Sequence, residues 1–197
     1  MKILSHSALQ VMFLLPVLAQ PASKLTPKLP DAPVAEPGYK SESPLPEGWP
    51  EPGPFNQVVR KTYPAYRAAF TKDDSANGGF MTLFRHIERN NIPMTAPVEM
   101  KLDDGVVMER MAFLYQNTKV GKTGDDGEDV EVRDVPATEA LSYAWMGSRS
   151  KAMEARKAVD AELARLGLKA REYRLLGYNS PFVPKSKQTH ELQALLE

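Results

Sequence analysis

The 197-residue sequence contains no cysteine. That excludes disulfides, thiolate metal centres, thioether-linked prosthetic groups and a lipid-modified N-terminal cysteine. Histidine is nearly as scarce. Of three in the chain, His6 lies in the leader described below, which leaves His86 and His190. Neither sign of charge dominates, with 25 Lys+Arg against 25 Asp+Glu. A nucleic-acid binder would carry a basic excess, so no nucleic-acid partner is expected. No apolar run is long enough to span a bilayer. There is no glycine-rich phosphate loop and no Gly-x-Ser-x-Gly turn. His190-Glu-Leu-Gln-Ala194 opens like a two-histidine zinc helix, but alanine stands where the second ligand belongs. Asp125, Asp126, Glu128 and Asp129 lack the ordered spacing of a calcium loop and read as a solvated hairpin tip.

What is present divides the chain in three. Residues 1–19 read as a signal peptide: Lys2 is the sole charge, Leu9–Leu18 is an apolar core, and Val17-Leu18-Ala19 places small residues before a cleavage point. Export to the periplasm or the exterior is expected, with no membrane segment after cleavage. Loss of Lys2 would leave 24 Lys+Arg against 25 Asp+Glu, still neutral. Residues 20–55 hold ten of the seventeen prolines and few large apolar side chains. Such a stretch buries too little to offset chain entropy, so it reads as a disordered or polyproline tether. Leu45, Trp49 and Phe55 are candidates for docking at its inner end. Residues 56–197 are then the folded domain, long enough for one core.

Within it, Gln57–Phe70 reads as strand, interrupted by Pro64. Phe80, Leu83, Phe84 and Ile87 recur at i, i+3, i+4 and i+7, the apolar face of a helix over about 78–90. Strands are expected at Val98–Leu102, Val106–Tyr115, Val130–Arg133 and Glu139–Met146, with a polar loop over Gly121–Asp129. A second helix is expected over 149–166, with Ser148 as N-cap, an Ala152/Ala155/Val159/Leu163/Leu166 stripe and Gly167 as its stop. Arg171–Gly177 reads as strand and Tyr178–Pro184 as loop; His190–Leu196 is open to helix or strand, with the alternation of Leu192, Ala194 and Leu196 favouring strand. The order suggests an α+β fold of two similar halves, each with one helix packed on antiparallel strands.

The most constrained stretch is Asn90–Lys101. Pro93 and Pro97 offer no N–H and bias Ile92 and Ala96 towards extended backbone, so an irregular extended segment must follow the first helix. These residues carry a resemblance. Asn91-Ile-Pro-Met-Thr-Ala-Pro-Val98, after a helix ending His-Ile-Glu-Arg-Asn, resembles the hallmark of the SOUL/heme-binding protein family. Tyr66-Arg67, Met111-Ala-Phe113, Val130–Pro136, Trp145-Met-Gly147, Tyr178-Asn-Ser-Pro181 and His190-Glu191 follow the family pattern across about 57–196. A proline usual after the Met111–Phe113 strand is absent, and histidine replaces asparagine at 190. The resemblance implies a distorted antiparallel β-barrel with two helices. It also implies non-catalytic binding of heme or another tetrapyrrole in an apolar cleft beside the first helix.

A heme needs apolar walls and, for its propionates, cations. On the first helix Met81 and Phe84 are candidates for ring contact, and Arg85 or Arg89 for a propionate. Lys185 and Lys187, after Pro184, are further propionate candidates. His86 falls on the opposite flank from Met81, so non-covalent binding without an obligate axial histidine is expected. Two alternatives remain at this level: a module for another amphipathic small molecule, or an enzyme using a cleft carboxylate such as Glu88 or Glu99.

Overall fold

The structure is a computed structural model that describes residues 39, 41–72, 78–103 and 107–197. The expected leader and the tether up to residue 38 lie outside the described residues, as do 75–77 and 104–105 of two expected turns.

The elements run β1 (Val58–Tyr63), β2 (Tyr66–Thr71), α1 (Gly79–Arg89), β3 (Val98–Asp103), β4 (Val107–Leu114), β5 (Gly124–Asp126), β6 (Val130–Val135), β7 (Thr138–Met146), α2 (Ala152–Leu166), β8 (Ala170–Gly177) and β9 (Thr189–Leu196). All strands join one sheet in the order β1-β7-β9-β8-β3-β4-β2-β6-β5. Its pairings are antiparallel, and the halves meet where β3 lies on β8, with Met100 opposite Leu175. The segment expected as a polar hairpin loop at 121–129 contributes a short strand, β5, which pairs Asp125 with Glu131 of β6.

Strand alternation sorts the sheet into two faces. On β3, Val98 packs with the α1 cluster, while Met100 and Leu102 pack with the α2 cluster. Both helices therefore cover the same face. α1 buries Leu83 and Ile87 there, and α2 buries Ala155, Val159 and Leu163. A 3-10 turn, Arg149–Lys151, precedes α2, and the Ser148 hydroxyl accepts from the Ser150 N–H. Gly167, at φ 65°, ends α2 in the left-handed conformation that glycine adopts without a Cβ penalty.

The opposite, concave face sets a buried polar network beside an apolar cluster that includes Trp49, Tyr63, Tyr66, Phe70 and Leu114. Glu191 is fully buried there. It accepts from Lys61 Nζ at 3.1 Å, Tyr63 at 2.6 Å, Tyr178 at 3.3 Å and Gln193 at 2.7 Å, and from Ser142. Arg174, also buried, donates to Glu99 at 2.9 Å, Tyr66 at 2.8 Å and Gln193 at 2.7 Å. Glu99, one of the carboxylates considered for catalysis, is thus tied up in an ion pair, and Glu88 is exposed on α1. Residues 41–55 are laid against this face. Trp49 is 5% exposed and sits 4.8 Å from the Tyr63 ring and 5.2 Å from the Tyr66 ring.

The expected β-barrel is corrected by this arrangement. The sheet curls but does not close: β1 and β5 are its two edges. Only Pro64 and Ala65 separate β1 from β2, yet among the described residues no ladder joins them. β2 is already paired on both sides, with β4 and with β6, and the Trp49 indole packs against both Tyr63 and Tyr66. β5 is three residues long and carries two aspartates, features that blunt a free edge.

Candidate functional site

The segment after α1 is fixed by its own backbone and hydroxyl bonds. Ile92 N–H returns to the Ile87 carbonyl at 2.9 Å, and Thr95 Oγ1 donates to the Leu114 carbonyl at 2.6 Å. Ala96 N–H donates to the Pro44 carbonyl at 3.0 Å, which ties the segment to the stretch before Trp49. Across from it lies the β8–β9 loop. Asn179 Oδ1 accepts from Thr189 N–H at 2.7 Å, and Tyr178 N–H donates to the Thr189 carbonyl at 3.0 Å, so the two ends of the loop are pinned together. Burial, then the neighbouring Glu191 charge, raise the Tyr178 hydroxyl well above the usual tyrosine range. It therefore stays a donor.

Between α1, residues 94–98 and this loop is a cleft of about 500 Å³. Phe80, Met81 and Phe84 form the helix wall, Met94, Ala96 and Val98 the floor, and Tyr178, Pro181 and Phe182 the loop wall. Phe80 and Phe84 are stacked at 6.2 Å with 10° between their planes. Two large apolar side chains here stand in water: Met81 is 48% exposed and Phe182 is 93% exposed. Exposed apolar side chains gathered at one concave surface mark a binding site more than scattered ones do.

Of the residues expected at the site, Met81 and Phe84 line this cleft. Arg85 and Arg89 do not; they border a separate depression with Asp126, Glu128 and Asp129. Arg89 is paired with Asp126 at 2.6 Å. Lys185 and Lys187 lie in an exposed 3-10 turn beyond Phe182 and are not among the lining side chains. Sequence reasoning missed the contribution of Met94 and Phe182. The Met-Thr-x-Pro motif and the Tyr-Asn-x-Pro motif were both visible, but nothing local shows that they face each other.

His86 is 3% exposed and sits on the far side of α1. Its Nδ1 bonds Asp126, and its Nε2 lies 2.6 Å from the Tyr115 hydroxyl. Burial would raise the Asp126 carboxyl, but bonds from His86, Arg89 and Asn90 outweigh that and hold it below the usual carboxylate range. His190 is buried against Trp145, with ring centroids 5.4 Å apart. Among the described residues no group of three or more His, Asp or Glu is placed to hold a metal ion. No described helix is long and apolar enough to cross a membrane. The cleft offers contact area and shape, and among the described residues the only carboxylate lining it is that of Glu42.

The fold is similar to solved structures at low sequence identity. The EcmrR C-terminal domain matches at TM-score 0.55 and 13% identity, over 72% of this chain and 97% of that one. The chain spans 57% of the longer EcmrR chain solved in an EcmrR–DNA complex. A protein described as a hydrolase from Listeria innocua matches at TM-score 0.56 and 13% identity, over 74% of this chain and 94% of that one. At such identities the likeness concerns the fold alone. No curated protein matches the chain in sequence. The family model of the SOUL heme-binding protein matches residues 56–194, from just before β1 into β9. The match includes the proline-bracketed motif, α1 and the Tyr-Asn-Ser-Pro loop that together form the cleft, and the chain belongs to the SOUL heme-binding family, whose members bind heme or related tetrapyrroles rather than catalyse.

Proposed function

We propose that this chain takes its tetrapyrrole in the cleft between α1 and the β8–β9 loop, non-covalently and without a histidine bond to the iron. The observation that carries the reading is the cleft wall: Phe80, Met81, Phe84, Met94 and Phe182 surround about 500 Å³ of space. That volume lies in the usual range of ligand sites. Bound there, heme would supply the iron chemistry, and these side chains would supply contact area and keep water from the ring. Covering roughly 300–400 Å² of apolar porphyrin surface contributes on the order of 8–10 kcal/mol gross. Association costs offset part of this, and micromolar binding at about −8 kcal/mol requires no iron–protein bond. Both nitrogens of His86 are engaged by Asp126 and Tyr115, and His190 lies under Trp145, so neither imidazole is offered to the cleft.

Titration with hemin, followed by the Soret band, tests the reading. Met81→Asp puts a charge against the ring and is expected to weaken binding by about tenfold or more, or about 1.4 kcal/mol. His86→Ala is expected to leave the Soret position and affinity nearly unchanged. Loss of the Soret band in His86→Ala, with Met81→Asp unaffected, would move the site to the other flank of α1. Other flat amphipathic molecules would find the same walls, and competition against hemin measures how selective the cleft is. Residues 1–19 are proposed as an export leader on their charge and apolar pattern. Mass spectrometry of the native protein is expected to find a start near Gln20, and an intact Met1 in cytoplasmic material would refute export.

A further inference from the structure

The stretch before Trp49 does more than approach the domain. It forms one rim of the cleft. Glu42 and Ser43 line it alongside α1 and the β8–β9 loop. The rim is held at several points along its length. The Glu42 carboxylate accepts from Ser180 N–H at 2.8 Å and from Ser180 Oγ at 3.1 Å. The Pro44 carbonyl accepts from Ala96 N–H at 3.0 Å, and Glu47 N–H donates to the Gln116 carbonyl at 2.8 Å. Trp49, 5% exposed, then anchors the stretch in the concave core. An exposed carboxylate at the mouth of the cleft is thereby held in place by two hydrogen bonds from Ser180.

Glu42 is also the single charged side chain among the described residues that line this cleft; no lysine or arginine joins it. Apolar walls with one anchored negative charge do not suit a ligand that presents carboxylates to that rim. Resting on the reading of the cleft as the tetrapyrrole site, we infer that Glu42 sets the charge preference of the cleft. It repels the propionate edge of a heme-like ligand and favours macrocycles whose edge towards this rim is neutral or cationic. Ser180, by holding the carboxylate, is a positioning residue for this selection.

The two ligands to compare are hemin, with two free propionates, and hemin dimethyl ester, in which both are neutral. Both are titrated into the full chain and into Glu42→Gln, at low and at high salt. The amide keeps an oxygen acceptor for Ser180, so the rim stays in place while the charge is lost. Wild type is expected to bind the ester more tightly than hemin. Glu42→Gln is expected to tighten hemin binding about two- to fivefold, the scale of one partly exposed charge interaction, and to leave the ester within experimental error. Raising the salt is expected to strengthen hemin binding to wild type and not to Glu42→Gln, because repulsion is screened only where the charge exists. Saturable binding of both ligands with no change on Glu42→Gln, or an equal change for both, would overturn the charge-selection role while leaving the cleft as the site. Absence of saturable binding of either ligand to wild type would overturn the site itself.

Discussion

Glu191→Leu is expected to remove about 3–5 kcal/mol of folding stability, the largest loss we expect from any single substitution on the concave face. The side chain is fully buried and gathers Lys61, Tyr63, Ser142, Tyr178 and Gln193 around one carboxylate. A buried pair of charges is weak evidence for net stability, because desolvation opposes the attraction. Removing one partner is a different matter. It leaves the Lys61 ammonium, 4% exposed, with only the Glu51 carbonyl at 2.9 Å. It also strips the tyrosine and serine hydroxyls of their acceptor, each such loss costing about 1–3 kcal/mol when uncompensated. Lys61→Met added to Glu191→Leu removes the stranded charge and is expected to restore a large part of the deficit. Urea unfolding followed by the fluorescence of Trp49 and Trp145 measures both. A single substitution that costs under about 1 kcal/mol, or a double that is no better than the single, would show that the network is not coupled in this way.

That network also marks where reading the sequence stops. α2 was legible because its signals are local: an i, i+3, i+4 stripe, Ser148 before it and Gly167 after it. α1 and the strands around the two prolines were legible for the same reason. β9 was legible as a strand but not as a central one. Glu191 and Gln193 alternate with Leu192 and Ala194, which reads as a solvated face; in the structure all eight residues of β9 are buried, since Trp49 and its neighbours cover the polar side. Nothing in a polar/apolar alternation reports that a distant stretch lies on top of it. Trp49 was legible as a docking side chain at the inner end of a proline-rich stretch, and it is buried in the core as expected, but the strand face it covers was not legible. Closure of the sheet was equally out of reach. Whether β1 meets β5 at the far edge depends on the strand order and curl of the whole sheet, and not on any property of the strands alone.

The candidate cleft was half legible. Met81 and Phe84 follow from helix periodicity plus the family resemblance. The flank occupied by Arg85 and Arg89 did not, because periodicity fixes which residues share a face but not what lies beside that face. There the β5–β6 hairpin brings Asp126 to Arg89 and His86, so the cations lie towards the hairpin instead of the cleft. The wall formed by Phe182 and the rim formed by Glu42 are separated from Met81 by long stretches of chain and come together only through the tertiary fold.

His190 makes the domain sensitive to mild acid. Its burial, and next the Arg149 charge, push the imidazole down to about 4 from the ordinary 6.5, against a weaker upward pull from a bond with the Gly147 backbone. Its Nδ1 has no hydrogen-bond partner, and its ring stacks on Trp145. The folded value lies below the unfolded one, so between about pH 6.5 and about pH 4 the unfolded chain binds more protons at this position than the folded chain does. Stability therefore rises with pH across that window and is lost as pH falls through it. At 1.36 kcal/mol per pH unit, the full interval amounts to roughly 3 kcal/mol. Asp126, whose carboxyl is held below the usual range, adds its own loss at lower pH, below the ordinary carboxylate value. His190→Phe keeps a ring against Trp145 and removes the proton site. Urea midpoints for wild type and His190→Phe, measured at intervals from pH 7 to pH 4, are expected to diverge as the pH drops, with wild type losing the additional stability. Their difference cancels every titration the two proteins share. Parallel curves across the window would mean that His190 is protonated as easily in the folded chain as in the unfolded one, and that its burial against Trp145 does not exclude the charge.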